Sequence, residues 1–242
     1  MKTIILLLFL TLQSAFANIL FQDNFEEDAI YTDNGVFDPE KVQLDHGHWG
    51  QYNQGNYQLI VSADRAFSGR RSLLLKTGDM QQGGESNRAQ AIAVFSEDGE
   101  REALSIEFAF LLDEGNLDGD IFVTVRGNTK DEEHQNSANL VINSALFMGL
   151  REGNNHKIGG DIITNEWYKV RIAMPALNGS DSDPRYTVTL LDADGVELGS
   201  FTSSFKKAGI VDYRYLNFMN ADTTNRSIFI DDVSVSTSAA DK

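Results

Sequence analysis

The chain has 242 residues, of which 41% are hydrophobic and 23% charged, a composition typical of a globular protein. Its 36 acidic residues against 20 Lys and Arg give a formal charge of −16. This balance disfavours nucleic acid or an anionic membrane as the main partner, because both are bound by clustered basic residues. The absence of cysteine excludes disulfides, thiolate metal sites and cysteine nucleophiles.

The N-terminus has the pattern of a secretory signal peptide. A basic residue precedes an apolar run that ends at Leu12, and small residues stand at Ala15 and Ala17, where a signal peptidase cleaves. We predict that residues 1–17 are removed and that the protein is secreted or periplasmic. The run is too short to cross about 30 Å of hydrocarbon and no other run is longer, so no membrane span is predicted.

Apolar and polar residues alternate through most of the remaining chain, and a period of two predicts β-strands. Turn residues separate the strands, and no helical pattern exceeds two turns. Asp192-Ala-Asp-Gly195 predicts a hairpin between its two flanking strands. In chain order, the predicted strands cover residues 57–61, 72–75, 89–95, 104–112, 121–126, 140–146, 167–174, 186–191, 196–201, 215–219 and 228–235.

This succession of short strands predicts an all-β fold, a two-sheet antiparallel β-sandwich in which each sheet buries one face against the other. No shift in composition divides the chain, so residues 18–236 are predicted to form a single domain. The small, polar residues 237–242 are predicted to be a flexible tail. Segments 27–50 and 129–139 lack a strand pattern and are predicted to be long loops, which often carry function.

Three short motifs lie along the chain: Phe21-Gln-Asp-Asn-Phe-Glu26, Phe67-Ser-Gly-Arg-Arg-Ser-Leu-Leu-Leu75 and Ile228-Phe-Ile-Asp-Asp-Val-Ser-Val235. Together they resemble the jelly-roll domains of carbohydrate-active proteins, namely carbohydrate-binding modules and concanavalin A-like lectin and glucanase domains, including several polysaccharide lyases. The resemblance implies a concanavalin A-like jelly roll whose first strand lies beside the last. Such a likeness in architecture does not determine activity.

The resemblance also implies a structural calcium ion where the two chain ends meet. Calcium takes six to eight oxygen ligands, and the candidates here are Glu26, Ser68, Gly69, Asp231 and Asp232. Strict alternation along the last strand would leave one of the two aspartates on an apolar face unless a bulge intervenes. The alternative is that these carboxylates are solvated charges at a sheet edge.

Enzyme signatures are mostly missing: the alternating carboxylates of retaining glucanases, a serine elbow and a phosphate-binding glycine loop are all absent. A polysaccharide lyase needs a group that neutralises a uronate carboxylate and a base that removes the α-proton. Arg88 and Gln90 stand two residues apart and resemble the Arg-x-Glu strand of alginate and glucuronan lyases, with Gln in place of Glu. His48, Tyr52 and His134 are candidates for the base. The alternative is that Arg88 and Gln90 are ordinary polar positions.

Sugar binding needs an aromatic platform together with amides that bond to hydroxyls. Trp49, Tyr52, Asn53 and Tyr57 form such a mixture, and packing at the rim of the sandwich is the alternative for them.

We therefore predict a secreted carbohydrate-recognition protein that binds an extracellular polysaccharide or oligosaccharide and carries structural calcium. The first alternative is a lyase that cleaves a uronate-containing polymer by β-elimination, and the second is a structural or adhesive surface protein. The acidic charge counts against an anionic substrate. Arg65, Arg70, Arg71 and Arg88 are nevertheless close in sequence and would supply a local basic groove.

Overall fold

The computed structural model describes residues 17–26, 48–51, 57–78, 87–113, 120–149, 155–178, 183–222 and 226–238. Within these ranges the chain forms β-strands and no helix. The strands are β1 (Ile19–Asp23), β2 (His48–Gln51), β3 (Tyr57–Ser62), β4 (Ser72–Thr77), β5 (Asn87–Val94), β6 (Leu104–Leu112), β7 (Ile121–Gly127), β8 (Gln135–Ile142), β9 (Ala145–Gly149), β10 (Asn155–Asp161), β11 (Trp167–Met174), β12 (Arg185–Asp192), β13 (Glu197–Ser204), β14 (Tyr215–Asp222) and β15 (Arg226–Thr237).

These strands form two antiparallel sheets. The eight-stranded sheet has the order β13-β12-β11-β6-β15-β4-β3, and β1 pairs with the second half of β15 beside β4. The seven-stranded sheet has the order β10-β9-β8-β7-β14-β5-β2. The predicted all-β, two-sheet architecture is confirmed, and so is the predicted hairpin, which is formed by β12 and β13.

The core lies between the sheets and is built by alternation within the strands. On β6, Ile106, Phe108 and Phe110 are buried against residues such as Leu216 and Phe218 of the other sheet. Burial of each such side chain contributes roughly 1.5–3 kcal/mol. The inward residues therefore fix which side chains of every strand are left on the outer faces of the two sheets.

A bulge in β15 decides which way its two aspartates point. The pairing of β15 with β6 shifts register between Asp231 and Ser234, and Asp232 has a φ of 48°. Before the bulge Ile230 packs inward, and after it Val233 packs inward. Asp231 is thereby placed on the outer side of the eight-stranded sheet, so no aspartate interrupts the row of apolar side chains that β15 directs into the core.

Two segments predicted to be long loops contain strands. Most of β2 falls within residues 27–50 and most of β8 within 129–139. The predicted strand 140–146 covers the end of β8, a turn and the start of β9. Three polar residues, Gln135, Asn136 and Asn139, make β8 look like a loop in the sequence, and the last two pair with outward residues of β7. Polar strand residues escape a search for apolar alternation because only one face of such a strand is buried.

The C-terminal strand also ends later than predicted. The N–H of Thr237 donates to the carbonyl of Asn18 at 2.9 Å, and the N–H of Ser238 donates to the carbonyl of Ala103 at 2.6 Å. Residues 1–16 and 239–242 lie outside the described residues, so the signal peptide and the remainder of the tail stay predictions. Nowhere in the described residues does an apolar helix reach the length needed to cross a lipid bilayer.

Candidate functional site

The outer face of the seven-stranded sheet is polar where β5, β14 and β7 run side by side. On β5, Ala89, Ala91 and Ala93 are fully buried against the core, so Arg88 and Gln90 lie on the opposite side of the strand. The structure thus places the two residues that were predicted to bind a carboxylate on one face of one strand.

β14 supplies the middle of this face. Leu216 and Phe218 pack into the core, so Tyr215 and Asn217 lie on the outer side. β14 is flanked by β5 and β7, and its register pairs Asn217 with Thr124 of β7. Residues that are far apart in sequence, from three different strands, are therefore brought together on this face.

Three of these side chains form a hydrogen-bonded set that we call the polar row: Gln90, Asn217 and Thr124. Gln90 Nε2 donates to Asn217 Oδ1 at 2.7 Å, and Asn217 Nδ2 donates to Thr124 Oγ1 at 3.2 Å. Their exposed fractions are 5%, 0% and 3%. Buried polar groups that are bonded to one another keep fixed orientations, so the polar row is a rigid floor of the face.

Two arginines stand on the same face. Arg126 lies two residues from Thr124, and its Nε donates to Asn136 Oδ1 at 2.9 Å. Burial lowers the pKa of Arg126 from its usual value, and the positive charge of Arg88 lowers it further. The two guanidinium groups therefore sense each other's charge, although their strand positions differ: Arg88 pairs in register with Ala221 and Arg126 with Tyr215, toward opposite ends of β14.

An aromatic pair lies at one end of the face. The rings of His134 and Tyr215 have centroids 5.2 Å apart and are tilted by 43°. His134 has a φ of 57°, and its N–H donates to Asn128 Oδ1 at 3.1 Å. This bond holds the loop so that the exposed imidazole stays beside Tyr215. Tyr215 is paired in register with Arg126, which places the predicted base candidate His134 near that arginine.

Acidic residues are nearly excluded from this sheet. Its strands contain two of them, Asp161 and Asp222, and each is the last residue of its strand. The strands of the eight-stranded sheet contain six, listed as Asp23, Glu107, Asp192, Glu197, Asp231 and Asp232. These strands carry three basic residues, Arg88, Arg126 and Lys157, against the two acidic ones, so the seven-stranded sheet is slightly positive in a chain with a formal charge of −16.

Of the predicted sugar platform, the structure buries Trp49. Trp49 is only 1% exposed, and its ring contacts Phe21 edge-on at 5.1 Å between centroids. Its Nε1 donates to Asp23 Oδ2 at 2.8 Å, a bond that ties β2 of one sheet to β1 of the other. Tyr57 is half-buried and packs against the same core. The Trp49 ring therefore has no open face for a sugar and the packing alternative describes it, while a role for Tyr57 in sugar binding stays a prediction.

The remaining predicted residues have limited descriptions. Tyr52 and Asn53 lie outside the described residues. The backbone of His48 pairs with Val94, which in turn pairs with Tyr215, so His48 belongs to the same cross-strand line as the aromatic pair.

The predicted calcium ligands meet at the loop of residues 63–71, which connects β3 to β4. Asp231 Oδ2 accepts hydrogen bonds from the N–H groups of Phe67 at 2.8 Å and Ser68 at 3.1 Å. Asp231 Oδ1 accepts from the N–H of Asp232 at 2.8 Å, and the Ser68 hydroxyl donates to Asp232 Oδ1 at 2.6 Å. The two C-terminal aspartates therefore hold this loop against the eight-stranded sheet.

The N-terminal carboxylate holds the other end of the loop. Glu26 Oε1 accepts from the N–H groups of Arg70 at 2.5 Å and Arg71 at 2.7 Å. Gly69 has a φ of +61°, and a Cβ there would come within 2.4 Å of Glu26 Cδ. Glycine is required at this position both by its backbone conformation and by the closeness of Glu26.

The carboxylate oxygens at this loop are of the kind that calcium binds, but they make up only part of a calcium ligand set. Burial raises the pKa of Asp231 to about 7, although the N–H donors of Ser68, Asp232 and Phe67 lower it to some extent. No group of three or more Asp, Glu, His or Cys side chains is placed to hold a metal ion within the described part of the chain. Calcium bound here would take several of its ligands from backbone carbonyls and water.

Sequence reasoning missed Thr124, Arg126, Asn217 and Tyr215. A signal was present, because Tyr215 and Asn217 alternate with the apolar Leu216 and Phe218. What the sequence lacks is the pairing order, in which β14 is inserted between β5 and β7.

Comparison with known proteins identifies the architecture. No protein-family model matches the sequence, and no curated protein matches it. Among solved structures, an endo-β-1,4-glucuronan lyase from the fungus Trichoderma reesei has 15% identity and a TM-score of 0.53, covering 79% of this chain and 92% of that one. The chain has the concanavalin A-like jelly-roll fold.

Two further structures share this jelly roll. A carbohydrate esterase from the Shiga toxin-encoding bacteriophage phi24B has 13% identity and a TM-score of 0.55, covering 92% of this chain and 99% of that one. A marine PL-14 alginate lyase from Aplysia kurodai has 8% identity and a TM-score of 0.51, covering 74% and 87%. The predicted fold is confirmed, and identities this low show the fold alone.

Proposed function

We propose that this protein is a secreted carbohydrate-recognition protein that binds an acidic polysaccharide on the outer face of the seven-stranded sheet. The observation that carries the proposal is the placement of two arginines, Arg88 and Arg126, on that one face, on the two strands that flank β14. Guanidinium binds carboxylate through paired, charge-assisted hydrogen bonds. A sheet that bears acidic residues only at the ends of its strands leaves this attraction unopposed.

The neighbouring side chains suit the rest of a sugar ring. The polar row lies beneath this surface, where its amide and hydroxyl groups bond to one another and link the three strands. The next cross-strand line contains Met219 and Phe122, which are half-buried and pair with each other. These apolar side chains suit the C–H face of a pyranose. The fold is shared with a glucuronan lyase and an alginate lyase, and both of these polymers carry carboxylates.

Binding to purified polysaccharides tests this proposal. We expect affinity for alginate or glucuronan in calorimetry or affinity gels, and little affinity for neutral xylan. Arg126→Gln should weaken the acidic ligand by at least about tenfold, because a charge-assisted pair is lost. Arg171→Gln is the matched control. Arg171 lies on the eight-stranded sheet, where its Nε is 2.6 Å from Oε1 of the exposed Glu107. Equal binding of neutral and acidic polymers, or an unaffected Arg126→Gln variant, would contradict the proposal.

A second candidate function, a lyase that acts on a uronate polymer, is favoured by the pairing of His134 and Tyr215 next to Arg126. In such a reaction a base removes the proton α to the carboxylate, the electron pair forms a carbon–carbon double bond, and the glycosidic oxygen leaves with a proton. Tyr215 or His134 would act as the base, while Arg126, which pairs in register with Tyr215, holds the carboxylate.

Ultraviolet absorbance of the unsaturated product separates the two functions. Absorbance that grows with time, and that is lost in Tyr215→Phe or His134→Ala with polymer binding retained, would establish the lyase. Retarded migration in affinity gels without any product would leave binding as the function. The absence of both product and retarded migration would favour the structural or adhesive alternative.

We also propose that calcium binds at the loop of residues 63–71, with Glu26, Ser68, Gly69, Asp231 and Asp232 as the chain's own contributors. Supporting this, the buried carboxyl of Asp231 and the two other carboxylates all contact this one loop. The ion would stabilise the junction of the chain ends and take no part in sugar recognition.

A further inference from the structure

A line of outward-facing residues crosses the seven-stranded sheet next to the polar row. Register pairs connect it through six neighbouring strands, from β5 at one end to β10 at the other. In spatial order its members are Gln90, Met219, Phe122, Val141, Phe147 and Lys157. The four members between Gln90 and Lys157 are all apolar, and we call these four the apolar stripe.

The apolar stripe faces away from the core. Side chains alternate along a strand, and the residues next to the members of the stripe pack between the sheets, among them Ile121, Leu140, Leu146 and Phe218. Val141 is 4% exposed, whereas the other three members are half-buried. The sheet thus leaves two phenylalanine rings and one methionine partly open on its outer face.

The stripe is long and narrow. Neighbouring strands lie about 4.8 Å apart, so it extends about 14 Å from Met219 to Phe147. Polar groups border it on both sides. On one side the polar row is continued by Asn139 of β8, and on the other Asn143 Nδ2 donates to Asp120 Oδ1 at 3.0 Å beside the ends of β8 and β7. A second protein or a lipid surface needs a broader apolar patch, whereas this shape fits a single extended polymer chain.

Basic side chains stand around the stripe. On β14, Met219 lies between the residue that pairs with Arg88 and the residue that pairs with Arg126, so the two arginines are on opposite sides of the stripe. At its end, Lys157 Nζ lies 2.5 Å from Asp161 Oδ1, an exposed pair of the kind that contributes little, so a ligand carboxylate can compete for the lysine. In an extended, ribbon-like polyuronate successive rings are turned over, and the carboxylates point alternately to its two edges. Such a chain on the stripe directs separate carboxylates toward the two arginines.

We propose that the apolar stripe is the path of the polysaccharide, which lies across the strands and stacks the C–H faces of its rings on Phe122 and Phe147. The inference rests on the proposed function, since it needs an acidic polymer on this face. It adds a direction to the binding and a requirement for length. Only an oligosaccharide of several rings covers the distance of about 19 Å from Met219 to Lys157.

Calorimetry with acidic oligosaccharides of graded length tests this path. For the wild type we expect the affinity to rise from the disaccharide to the hexasaccharide. Phe147→Ala should weaken the hexasaccharide about fivefold, because one stacking contact is lost, and should leave the disaccharide unaffected, because a short ligand does not need the whole stripe.

Ile92→Ala is the matched control. Ile92 is also a half-buried, outward-facing residue of the same sheet, but it pairs with Asn217 outside the stripe. Its hexasaccharide affinity should equal that of the wild type. A chain that ran along β5 and β14 would contact Ile92 and miss Phe147, so a loss in Ile92→Ala alone, or equal losses in both variants, would overturn the proposed path.

NMR signals of the wild type give a readout that does not depend on the folding of a variant. On titration with the hexasaccharide, the methyl signals of Val141, which lies between the two phenylalanines, should shift, and those of Ile92 should not. The reverse pattern, or a Phe147→Ala variant that binds the hexasaccharide like the wild type, would overturn the path while leaving polysaccharide binding intact. A wild-type protein that binds no acidic polymer would overturn the proposed function and this inference together.

Discussion

The two sheets present outer faces that use charge in opposite ways. On the eight-stranded sheet, carboxylates from both chain ends accept hydrogen bonds from the backbone of the loop of residues 63–71. On the seven-stranded sheet, the arginines and the polar row belong to strands that bear acidic residues only at their ends. Carboxylates therefore hold a loop against one face, whereas the other face carries the arginines on which the proposed binding depends.

The eight-stranded sheet has a third layer. A line of apolar residues crosses its outer face, and its members Leu74, Leu111 and Phe229 are buried. Above them, the ring of Phe67 contacts Trp167 at 5.6 Å between centroids. The loop thus converts an exposed apolar surface into a second, smaller core. A covered face of this kind has little room for a polysaccharide.

This contrast changes how the net charge is interpreted. The formal charge of −16 disfavours an anionic ligand when it is averaged over the chain. Binding depends on the local potential, and the seven-stranded sheet concentrates Arg88 and Arg126 where acidic residues are scarce. A strongly acidic protein can therefore hold an acidic polymer on one face.

Asp231→Ala should have the largest effect on the covered face. It removes the acceptor of three backbone N–H groups, so we expect the free energy of unfolding to fall by about 3 kcal/mol. Polymer binding by the surviving folded protein should not change. Chemical denaturation measures the loss, and Asp161→Ala is the control, since Asp161 is 83% exposed on the other sheet. Equal losses in the two variants would remove the distinction between the faces.

Calcium removal should come next in size, and its effect should depend on pH. Without a cation, burial raises the pKa of Asp231 to about 7, above the unfolded value of about 3.9. Protonation then favours the folded state, so this group's contribution to stability falls as pH rises from about 4 to about 7.

Calcium would favour the ionised carboxylate and offset that loss. We expect a chelator to lower the Tm by roughly 4–10 °C at pH 8 and by clearly less at pH 5. Thermal scans with chelator, with and without restored calcium, measure both values. A Tm that is insensitive to chelator and calcium at both pH values would contradict the calcium proposal.

Much of the fold could be predicted from the sequence because burial leaves a period of two. β6 alternates apolar and polar residues at its start. The turn between β12 and β13 is indicated by the turn residues Asp194-Gly195. β8 could not be found in this way, because Gln135, Asn136 and Asn139 place polar groups where an apolar pattern was sought.

The candidate site could be predicted only in part. Arg88 and Gln90 were found because they sit two residues apart on one strand, which is local information. Their partners Asn217 and Arg126 come from strands brought in by non-local pairing, which one sequence does not encode in any short window. Trp49 was misjudged for the converse reason, since composition alone does not tell a buried indole from an exposed one.

Gly69→Ala should have a moderate effect on the covered face. The added methyl group would lie 2.4 Å from Glu26 Cδ. In addition, alanine would have to adopt the positive φ of +61° that glycine has at this position. We expect a loss of about 2 kcal/mol in the free energy of unfolding. Gly195→Ala separates the two causes, because Gly195 also has a positive φ of +85° but has no atom within 4 Å of the added carbon. It should lose only about 1 kcal/mol, and an equal loss in both variants would show that contact with Glu26 is unimportant.

The smallest effects are expected when one lysine on each face is replaced by glutamine. Lys157 of β10 pairs in register with Phe147 of the seven-stranded sheet and forms an ion pair with Asp161 at 2.5 Å. We expect Lys157→Gln to weaken acidic polysaccharide about twofold at low salt, with the difference vanishing at high salt because exposed charges are screened.

Lys169 should behave in the opposite way. Its ammonium lies 4.7 Å from the centroid of the Phe67 ring, over the loop that covers the eight-stranded sheet. Lys169→Gln should therefore lower the free energy of unfolding by about 0.5 kcal/mol and leave polymer affinity unchanged. Both variants remove one positive charge, so a general effect of net charge would weaken binding equally in the two. Reduced binding in Lys157→Gln alone would show that the ligand responds to the field of one face and not to the charge of the whole protein.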